Sequence, residues 1–322
     1  MREALVTGGG GFIGSHLVDR LVSEGWSVKI LDNFSSGRME NIAHHSGNGC
    51  VKVLNVDLKN LQDVYNNVKD VDVVFHYAAN PEVRVSATNP DIHFNENIAA
   101  TFNLLEAMRK NSVGEIVFAS SSSVYGEPEM IPVGEDAPLK PVSVYGASKA
   151  ACESLMHAYS RLYGIRIVVL RYANVVGPRL RHGVIYDLIM KLRGNPCRLE
   201  ILGDGTQSRS YIYIDDAVEA TITAYMRSKG YFEVFNVSSE DWITVRDIAD
   251  IIVEIMGLEN VEYIFKPVLH GVGWPGDVKR IALKIDKLKG LGFKPLMNSR
   301  EAVKRTAEDL IMEIIFKRAA LP

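Results

Sequence analysis

Four consecutive glycines near the start of the chain constrain the fold more than any other feature of the sequence. They follow a short apolar run, Glu3–Thr7, and precede Phe12–Glu24, in which apolar residues recur with the spacing of a helix. A second apolar run, Ser27–Asp32, comes directly afterwards. Glycine permits the tight turn and the close packing that join a buried strand to a helix. This segment is therefore predicted to form a strand, a helix and a second, parallel strand.

The same alternation continues through the first half of the chain. Further strands are predicted at Val51–Leu54, Val71–His76, Glu115–Ala119 and Ile165–Arg171, and helices at Pro90–Lys110 and Val144–Tyr163. Strands that alternate with helices form right-handed units around a parallel sheet, and the helices cover both of its faces. The predicted fold class is therefore α/β, with a Rossmann-type doubly wound sheet of six or seven parallel strands.

The pattern changes after about residue 175, where the segments become shorter and more mixed. Helical spacing returns at Asp215–Met226, Val245–Met256 and Arg300–Phe316. Thr244 and Asp247 have the spacing of a capping box, in which each side chain bonds the backbone N–H of the other. We predict a Rossmann domain over residues 1–172 and a smaller C-terminal α/β lobe over residues 173–322. The chain is expected to cross back between the two, with a cleft at their boundary.

Composition narrows the class of protein. The chain has 322 residues, of which 47% are hydrophobic and 23% charged, and its formal net charge is −3. These values are typical of soluble globular proteins and argue against binding of nucleic acid, which usually requires a basic face. The three cysteines form no CxxC pair, which favours a reducing compartment and predicts no metal site. With no signal peptide and no apolar run of roughly 18–20 residues, the expected location is the cytoplasm, without membrane contact.

The glycine turn also predicts a ligand. Gly8, Gly11 and Gly14 have the spacing that lets a backbone approach a pyrophosphate at the N-terminus of a helix. Asp32 ends the next strand, where a carboxylate accepts both ribose hydroxyls and repels a 2′-phosphate. The pattern therefore favours NAD over NADP. Arg38 is the counter-evidence, since a nearby Arg can hold a 2′-phosphate, but it is interpreted here as a solvated loop residue.

The segment after the third strand leaves two interpretations open. Asp57 follows that strand and is placed to lie near the adenine amino group of a bound dinucleotide. An aspartate in such a loop can equally cap the following helix. The residue types alone do not decide between these roles.

A second set of polar residues predicts chemistry. Tyr145 and Lys149 stand one helical turn apart on one face of the predicted helix. A neighbouring ammonium and a nicotinamide cation both favour the phenolate, so the Tyr145 phenol can act as a base near neutral pH. The serine run Ser120–Ser123 follows the fifth strand, and ligands bind at the carboxyl ends of parallel strands.

These motifs, in this order, resemble those of the extended short-chain dehydrogenase/reductases. Within that family they are most similar to the nucleotide-sugar epimerases, and among these to the enzymes that interconvert UDP-glucose and UDP-galactose. The resemblance covers nearly the whole chain. It rests on Val6–His16, Leu31–Asn33, His76–Ala79, Asn97–Thr101, Ser121–Gly126, Tyr145 with Lys149, Arg171–Arg179 and Gly203–Arg209.

The resemblance implies roles for individual residues. Tyr145 would be the base on the sugar 4-hydroxyl, Ser121 would hydrogen-bond the same hydroxyl, and Lys149 would hold the nicotinamide ribose. The residues implied to bind NAD are Gly8, Gly11, Phe12, Ile13, Gly14, Asp32, Asn33, Asp57, Leu58, Ala78, Ala79, Asn97, Tyr145, Lys149 and Tyr172. Those implied to bind a UDP-sugar are Ser121, Ser122, Asn174, Val184, Leu199, Arg209 and Asp277. In this set Arg209 would hold the diphosphate, and the residues from Leu199 to Leu202 would line the uracil.

The two positions after Ser121 bear on the reaction. Dehydratases that this chain resembles carry Asp and Glu there, because elimination of water needs an acid and a base. Here Ser122 and Ser123 stand in those places, and neither does that work at neutral pH. The resemblance therefore implies interconversion of UDP-glucose and UDP-galactose, by NAD-dependent oxidation to a 4-keto sugar and re-reduction on its other face.

Two departures from the family pattern leave alternatives open. Trp274 stands where the family often has a phosphate-binding Arg, and Pro81 stands where it has a Lys, with Arg84 as the nearest substitute. The alternatives are another nucleotide-sugar 4-epimerase, acting on UDP-glucuronate or UDP-N-acetylglucosamine, and a nucleotide-sugar reductase or dehydratase. A non-catalytic NAD-binding sensor is the alternative from a different class. The resemblance also implies a homodimer formed through the helices at 90–110 and 144–163.

Overall fold

The computed structural model describes residues 2–316, and a parallel sheet of seven strands forms its centre. In chain order the strands are β1 (Glu3–Thr7), β2 (Ser27–Asp32), β3 (Val51–Asn55), β4 (Val73–His76), β5 (Glu115–Ser121), β6 (Arg166–Tyr172), β7 (Asn174–Val176), β8 (Arg198–Leu202), β9 (Ser208–Arg209), β10 (Tyr211–Tyr213), β11 (Phe232–Val237), β12 (Ile243–Thr244), β13 (Glu262–Lys266) and β14 (Arg280–Ile281). The order within the central sheet is β11–β6–β5–β4–β1–β2–β3, and each neighbouring pair is parallel. The predicted doubly wound α/β fold is confirmed.

Helices cover both faces of this sheet and build most of the second lobe. In chain order they are α1 (Phe12–Ser23), α2 (Leu61–Asn67), α3 (Asp91–His93), α4 (Ala100–Lys110), α5 (Val144–Tyr163), α6 (Val184–Gly194), α7 (Ile214–Arg227), α8 (Val245–Ile255), α9 (Asp286–Lys289) and α10 (Ser299–Phe316). A π-helical segment, Phe94–Ala99, joins α3 to α4, where the sequence predicts one continuous helix. Within residues 2–316, no helix combines the length and the apolar content that a membrane crossing requires.

Burial explains why the strands could be predicted. All four residues of β4 and six of the seven in β6 are buried, because helices pack on both faces of a parallel sheet. The edge strand β3 is partly solvated, and Val53 on it is 37% exposed. The strongest apolar runs in the sequence therefore mark the centre of the sheet.

The strand order indicates which edge of the sheet is suited to bind a ligand. β1 lies between β2 and β4, so the winding direction of the chain reverses at β1. In doubly wound folds, the loops that follow the strands on either side of such a reversal separate and leave a crevice. The glycine turn follows β1 at this point.

The second half of the chain adds one strand to the central sheet and also forms smaller sheets. β11 pairs with β6 and supplies the seventh strand of the central sheet. Smaller sheets, β10–β7, β12–β9–β14 and β13–β8, form the rest of the lobe. The predicted capping box is present at the start of α8, with Thr244 and Asp247 bonded to each other's backbone N–H. One apolar core extends from Val6 in β1 to Leu310 in α10. The division into residues 1–172 and 173–322 stays a prediction.

Candidate active site

A cavity of about 510 Å³ lies at the carboxyl ends of the central strands. Its wall includes Gly8 after β1, Asp32 at the end of β2, Ala78 after β4 and Ser121 at the end of β5. The wall also includes residues from the second half of the chain, such as Arg209 in β9. The cavity therefore occupies the crevice that the reversal of strand order creates.

The glycine turn is packed too closely to admit side chains. Gly8 has a φ of +69°, and a Cβ atom there would lie 2.7 Å from the backbone nitrogen of Ala78. A Cβ on Gly14 would overlap the carbonyl oxygen of Gly8. α1 begins at Phe12, directly after Gly11, and the first N–H groups of a helix form a site for anions. The turn thus forms a cradle of backbone that fits a pyrophosphate.

Asp32 lies beside this cradle with both oxygens already bonded to backbone. It accepts hydrogen bonds from the backbone nitrogens of Gly10 and Phe34, each at 2.8 Å. Burial raises the pKa of Asp32, and these two hydrogen bonds oppose the shift. Arg38 also lines the cavity, and its backbone nitrogen donates to the carbonyl of Gly10 at 2.8 Å. Asp32, the residue predicted to bind the ribose of NAD, and Arg38, the residue that would favour NADP instead, therefore lie at the same end of the cavity.

The predicted catalytic side chains come together at the end of β5. Ser121 is the last residue of β5; its Oγ accepts from the backbone nitrogen of Ser123 and donates to Ser123 Oγ, each at 3.1 Å, and it lines the cavity together with Tyr145. Tyr145 stands in the first turn of α5, which Ser143 caps by accepting from the Gly146 nitrogen at 3.1 Å. The strand end and the helix start are therefore what bring the serine and tyrosine hydroxyls together.

Electrostatics at this site depend mainly on burial. Burial raises the pKa of Tyr145 to about 12, against the opposing hydrogen bond with Ser121. Burial likewise lowers the pKa of Lys149 to about 8. The Lys149 Nζ donates to the Ala119 carbonyl at 2.8 Å and lies 5.9 Å from the centre of the Tyr145 ring. In the absence of the nicotinamide cation, Lys149 and Ser121 therefore do not lower the pKa of Tyr145 below its ordinary value.

Most residues predicted to bind the cofactor or the sugar line the cavity. The residues on its wall are Gly8, Gly11, Phe12, Ile13, Gly14, Asp32, Asn33, Asp57, Leu58, Ala78, Ala79, Ser121, Ser122, Tyr145, Lys149, Tyr172, Asn174, Val184, Arg209 and Asp277. The structure thus brings together residues that lie far apart in the sequence. Their individual contacts with a cofactor or substrate remain predictions.

Two predicted residues do not line the cavity. Asn97 is buried in the π-helical segment, where it accepts from the Asn80 backbone nitrogen at 2.9 Å and donates to Ser148 Oγ at 2.8 Å. Leu199 has no exposed surface and packs in the core, while Ile201 and Leu202 of the same strand line the cavity. Asn97 therefore supports the wall from behind, and Leu199 lies earlier in β8 than the residues on the wall; the ligand contacts expected of both stay predictions.

The lobe side of the cavity carries one tightly fixed ion pair. Arg209 and Asp277 form a salt bridge, and Asp277 also accepts from the backbone nitrogens of Gly273 and Val278, each at 2.9 Å. Two buried donors beside it, Nη1 of Arg209 and Nε1 of Trp274, have no hydrogen-bond partner within residues 2–316. Both residues line the cavity, so these donors are suited to an anionic ligand group.

In the loop after β4, the guanidinium of Arg84 is paired with carboxylates. Arg84 donates to both oxygens of Glu82, through Nε at 2.9 Å and Nη2 at 3.0 Å. Its Nη1 also lies 3.3 Å from a carboxylate oxygen of Asp187. Arg84 therefore reaches the cavity wall with its charge already compensated by two carboxylates.

Sequence reasoning missed Arg179, which connects the loop after β7 to α1. Its guanidinium donates to Ser15 Oγ at 3.0 Å and to Asp19 Oδ2 at 2.8 Å, and the residue lines the cavity. Arg179 adopts a positive φ of 69° in a loop between Gly177 and Gly183. The run of Gly and Arg there was the available signal, but it carried no spacing that predicts a contact.

Comparison with known proteins decides the family. The model of the "NAD dependent epimerase/dehydratase family" matches residues 4–238, which contain the glycine turn, the serine run and Tyr145. The chain belongs to the NAD dependent epimerase/dehydratase family. NAD is the cofactor of this family, and the cradle at Gly8, together with Asp32, fits it.

Curated relatives and solved structures match along nearly the whole length. A UDP-glucose 4-epimerase of Mycolicibacterium smegmatis is 34% identical, over 95% of this chain and 97% of the relative. The crystal structure of a UDP-galactose 4-epimerase has 50% identity and a TM-score of 0.87, covering 97% of this chain and 99% of that one.

Structures of epimerases for other UDP-sugars are similar as well. A UDP-N-acetylglucosamine 4-epimerase from Methanobrevibacter ruminantium has 33% identity and a TM-score of 0.85, over 97% of this chain and 100% of that one. A UDP-glucuronic acid 4-epimerase from Bacillus cereus has 31% identity and a TM-score of 0.88, over 97% and 99%. The likeness of fold therefore does not select one sugar.

Proposed function

We propose that this family member is a UDP-hexose 4-epimerase that interconverts UDP-glucose and UDP-galactose. The observation that carries the proposal is that Ser121 and Tyr145 both line the cavity at the carboxyl end of β5, with Ser122 and Ser123 directly after Ser121. The pair supplies a proton acceptor for a sugar hydroxyl. The two serines supply no carboxylate for removal of a carbon-bound proton.

The side chains at the end of β5 are suited to reversible oxidation of a hydroxyl. Tyr145 takes the proton of the sugar 4-hydroxyl and later returns it, while Ser121 holds the hydroxyl in line through its hydrogen bond. Lys149 is fixed by the Ala119 carbonyl and places a positive charge beneath the same region. When bound, NAD supplies a reversible hydride acceptor for C4. A base within hydrogen-bond reach of the reacting hydroxyl is the geometric condition for this chemistry.

The lobe side of the cavity is suited to a nucleoside diphosphate. The unpartnered donors on Arg209 and Trp274 lie on its wall, and charged oxygens are their strongest acceptors. Trp274 supplies one indole N–H where the family often has an Arg. The diphosphate is therefore held with less positive charge than a second Arg would provide.

Charge compensation beside Tyr145 supports a neutral hexose over a uronate. The loop that carries Glu82 and Arg84 lies against α5, because the Tyr145 backbone nitrogen donates to Ser86 Oγ at 3.1 Å. Arg84 is bonded to both oxygens of Glu82, so this loop offers no uncompensated cation to a sugar carboxylate.

A substrate screen tests the proposal. The purified holoenzyme is incubated separately with UDP-galactose, UDP-glucuronate and UDP-N-acetylglucosamine, and the products are separated by chromatography. We expect UDP-galactose to be converted with the highest kcat/KM, and the Tyr145→Phe variant serves as the inactive control. A higher kcat/KM for one of the other two sugars would move the assignment to that sugar. Release of NAD on buffer exchange, without turnover of any sugar, would favour the sensor.

A further inference from the structure

Away from Ser121 and Tyr145, two histidine side chains lie against the same aspartate carboxylate. Nε2 of His44 and Nε2 of His45 each lie 2.7 Å from Oδ1 of Asp19. Asp19 belongs to α1, and both histidines belong to a short turn, Ala43–His45, in the loop between β2 and β3. Two imidazoles and a carboxylate form a donor set that Zn²⁺ and related divalent ions prefer.

The carboxylate of this cluster is fixed by a partner on its other oxygen. Arg179 occupies Oδ2 at 2.8 Å and leaves Oδ1 to the histidines. Metal-binding carboxylates commonly have such a partner on the oxygen that does not bind the metal.

The cluster is accessible and needs a small adjustment to bind an ion. The His44 side chain is 49% exposed and that of His45 is 10% exposed, so an ion can enter and water can complete its coordination. Ligand atoms around tetrahedral zinc are about 3.4 Å apart at bond lengths near 2.0–2.2 Å. Each histidine must therefore withdraw by about 0.7 Å, which a short turn in a loop accommodates without disturbing the sheet.

We propose that Asp19, His44 and His45 bind one divalent transition-metal ion, such as zinc, and that this ion fastens the β2–β3 loop to α1. The loop also contacts the glycine turn, because the Arg38 backbone nitrogen and Asn41 Nδ2 both donate to the Gly10 carbonyl, at 2.8 and 2.9 Å. An ion in the cluster therefore restrains the adenosine side of the cavity as well.

This proposal departs from the expectation of no metal site. That expectation rested on the absence of a CxxC pair among the three cysteines. The ligands here are two adjacent histidines and an aspartate 25 residues before the first of them, and only the fold brings them together.

Zinc binding is measured on the holoenzyme, without a histidine affinity tag, by competition with a chromogenic chelator. We expect one Zn²⁺ per chain, and Co²⁺ is expected to give the visible absorption of a tetrahedral site with imidazole ligands. Loss of an outer partner alone typically costs about 10–100-fold in metal affinity, so removal of a ligand should cost at least about 100-fold. His44→Gln, at a half-exposed position, tests this without leaving a void, and the double variant His44→Gln/His45→Gln removes both ligands.

The matched control is His270→Gln, the same change at an exposed histidine in another loop. It should leave zinc affinity and the Co²⁺ spectrum unchanged. Zinc is also expected to slow backbone hydrogen exchange over residues 42–46 in the wild type and not in the double variant. Equal zinc affinity in the wild type and in His44→Gln would overturn the site. Binding without slower exchange would overturn the fastening role.

Discussion

Gly146 and Ser123 lie so close together that a Cβ atom on Gly146 would stand 2.5 Å from the Ser123 carbonyl oxygen. Gly146 follows Tyr145 in the first turn of α5, and Ser123 follows Ser121 by two residues. This contact therefore sets how near the helix approaches the end of β5. We therefore expect the distance between the Tyr145 and Ser121 side chains to depend on this contact.

Gly146→Ala should reduce catalysis without removing any catalytic group. The added methyl must push α5 away from Ser123, and misplacement of reacting groups by about 1 Å can cost about 10²-fold in rate. We expect kcat to fall by that order, with NAD still bound, although alanine alone favours a helix over glycine by about 1 kcal/mol. The control is Gly114→Ala, where a Cβ would meet nothing within 4 Å. An unchanged kcat in Gly146→Ala would show that the contact does not position Tyr145.

Tyr145→Phe removes the proton acceptor and keeps the ring. Loss of a general base usually costs about 10²–10⁴-fold, so kcat is expected to fall within that range while NAD copurifies as before. Tyr163→Phe makes the same change at an exposed position near the end of α5 and should have no effect on kcat. Activity within a few-fold of the wild type in Tyr145→Phe would remove it from the mechanism.

Asp32→Asn tests the choice between NAD and NADP. The carboxylate is expected to bond the ribose hydroxyls and to repel a 2′-phosphate, so its neutral isostere should bind NAD more weakly and discriminate less against NADP. Affinities of the cofactor-free protein for both dinucleotides measure this. Arg38→Ala is the companion variant and should change neither affinity much. Should the wild type prefer NADP, and Arg38→Ala abolish that preference, the role assigned to Asp32 would be wrong.

The parts of the fold that follow from the sequence are those where burial imposes a pattern. Central strands such as β4 are buried throughout, and α5 carries both helical spacing and a serine cap, so their bounds were predicted closely. α2 has only seven residues, too few to establish a periodic pattern.

The candidate site likewise has parts that a local sequence pattern predicts and parts that it does not. Its motifs lie at strand ends and helix starts, which the pattern locates, and Tyr145 and Ser121 were found for that reason. In the predicted segment from Leu199 to Leu202, Ile201 and Leu202 line the cavity and Leu199 does not, because the sequence does not show where along β8 the cavity begins. The contact of Arg179 with Asp19 joins residues 160 apart, and no local pattern encodes it.

The fate of hydrogen at C4 distinguishes the proposed reaction from elimination. If C4 is oxidised and reduced within the closed site, the hydrogen returns to the same carbon without exchange with water. UDP-glucose formed from UDP-galactose in heavy water should therefore contain no carbon-bound deuterium by mass spectrometry. The reasoning rests on Ser122 and Ser123, neither of which removes a proton from carbon. One deuterium on carbon per turnover would instead favour an enolised intermediate.

His76 should make stability depend on pH in mild acid. It lies at the end of β4, bonded to Thr7 at 2.7 Å and to Thr101 at 2.9 Å, and burial, together with the charge of Lys149, lowers its pKa to about 3. The unfolded chain binds a proton near pH 6.5 while the folded chain does not. This contribution to stability is therefore complete above pH 6.5 and is lost as pH falls towards 3.

The slope of stability against pH gives the measurement. Between pH 6 and 5, the free energy of unfolding of the wild type should fall by about 1.4 kcal/mol per pH unit more than that of His76→Gln. Urea unfolding at each pH supplies both values, and His157→Gln, at an exposed position in α5, should keep the wild-type slope. Parallel slopes for the wild type and His76→Gln would contradict a proton-free His76 in the folded protein.

The position of β11 beside β6 has a consequence for how the chain is made. During synthesis, β6 leaves the ribosome with one edge unpaired, and some sixty further residues must follow before β11 arrives to cover it. Open strand edges are sites of intermolecular pairing. A fragment that ends at residue 172 would keep this edge permanently, so we expect it to aggregate rather than to serve as an independent NAD-binding module. Extension to residue 237 adds the missing strand and is the shortest fragment that completes the sheet.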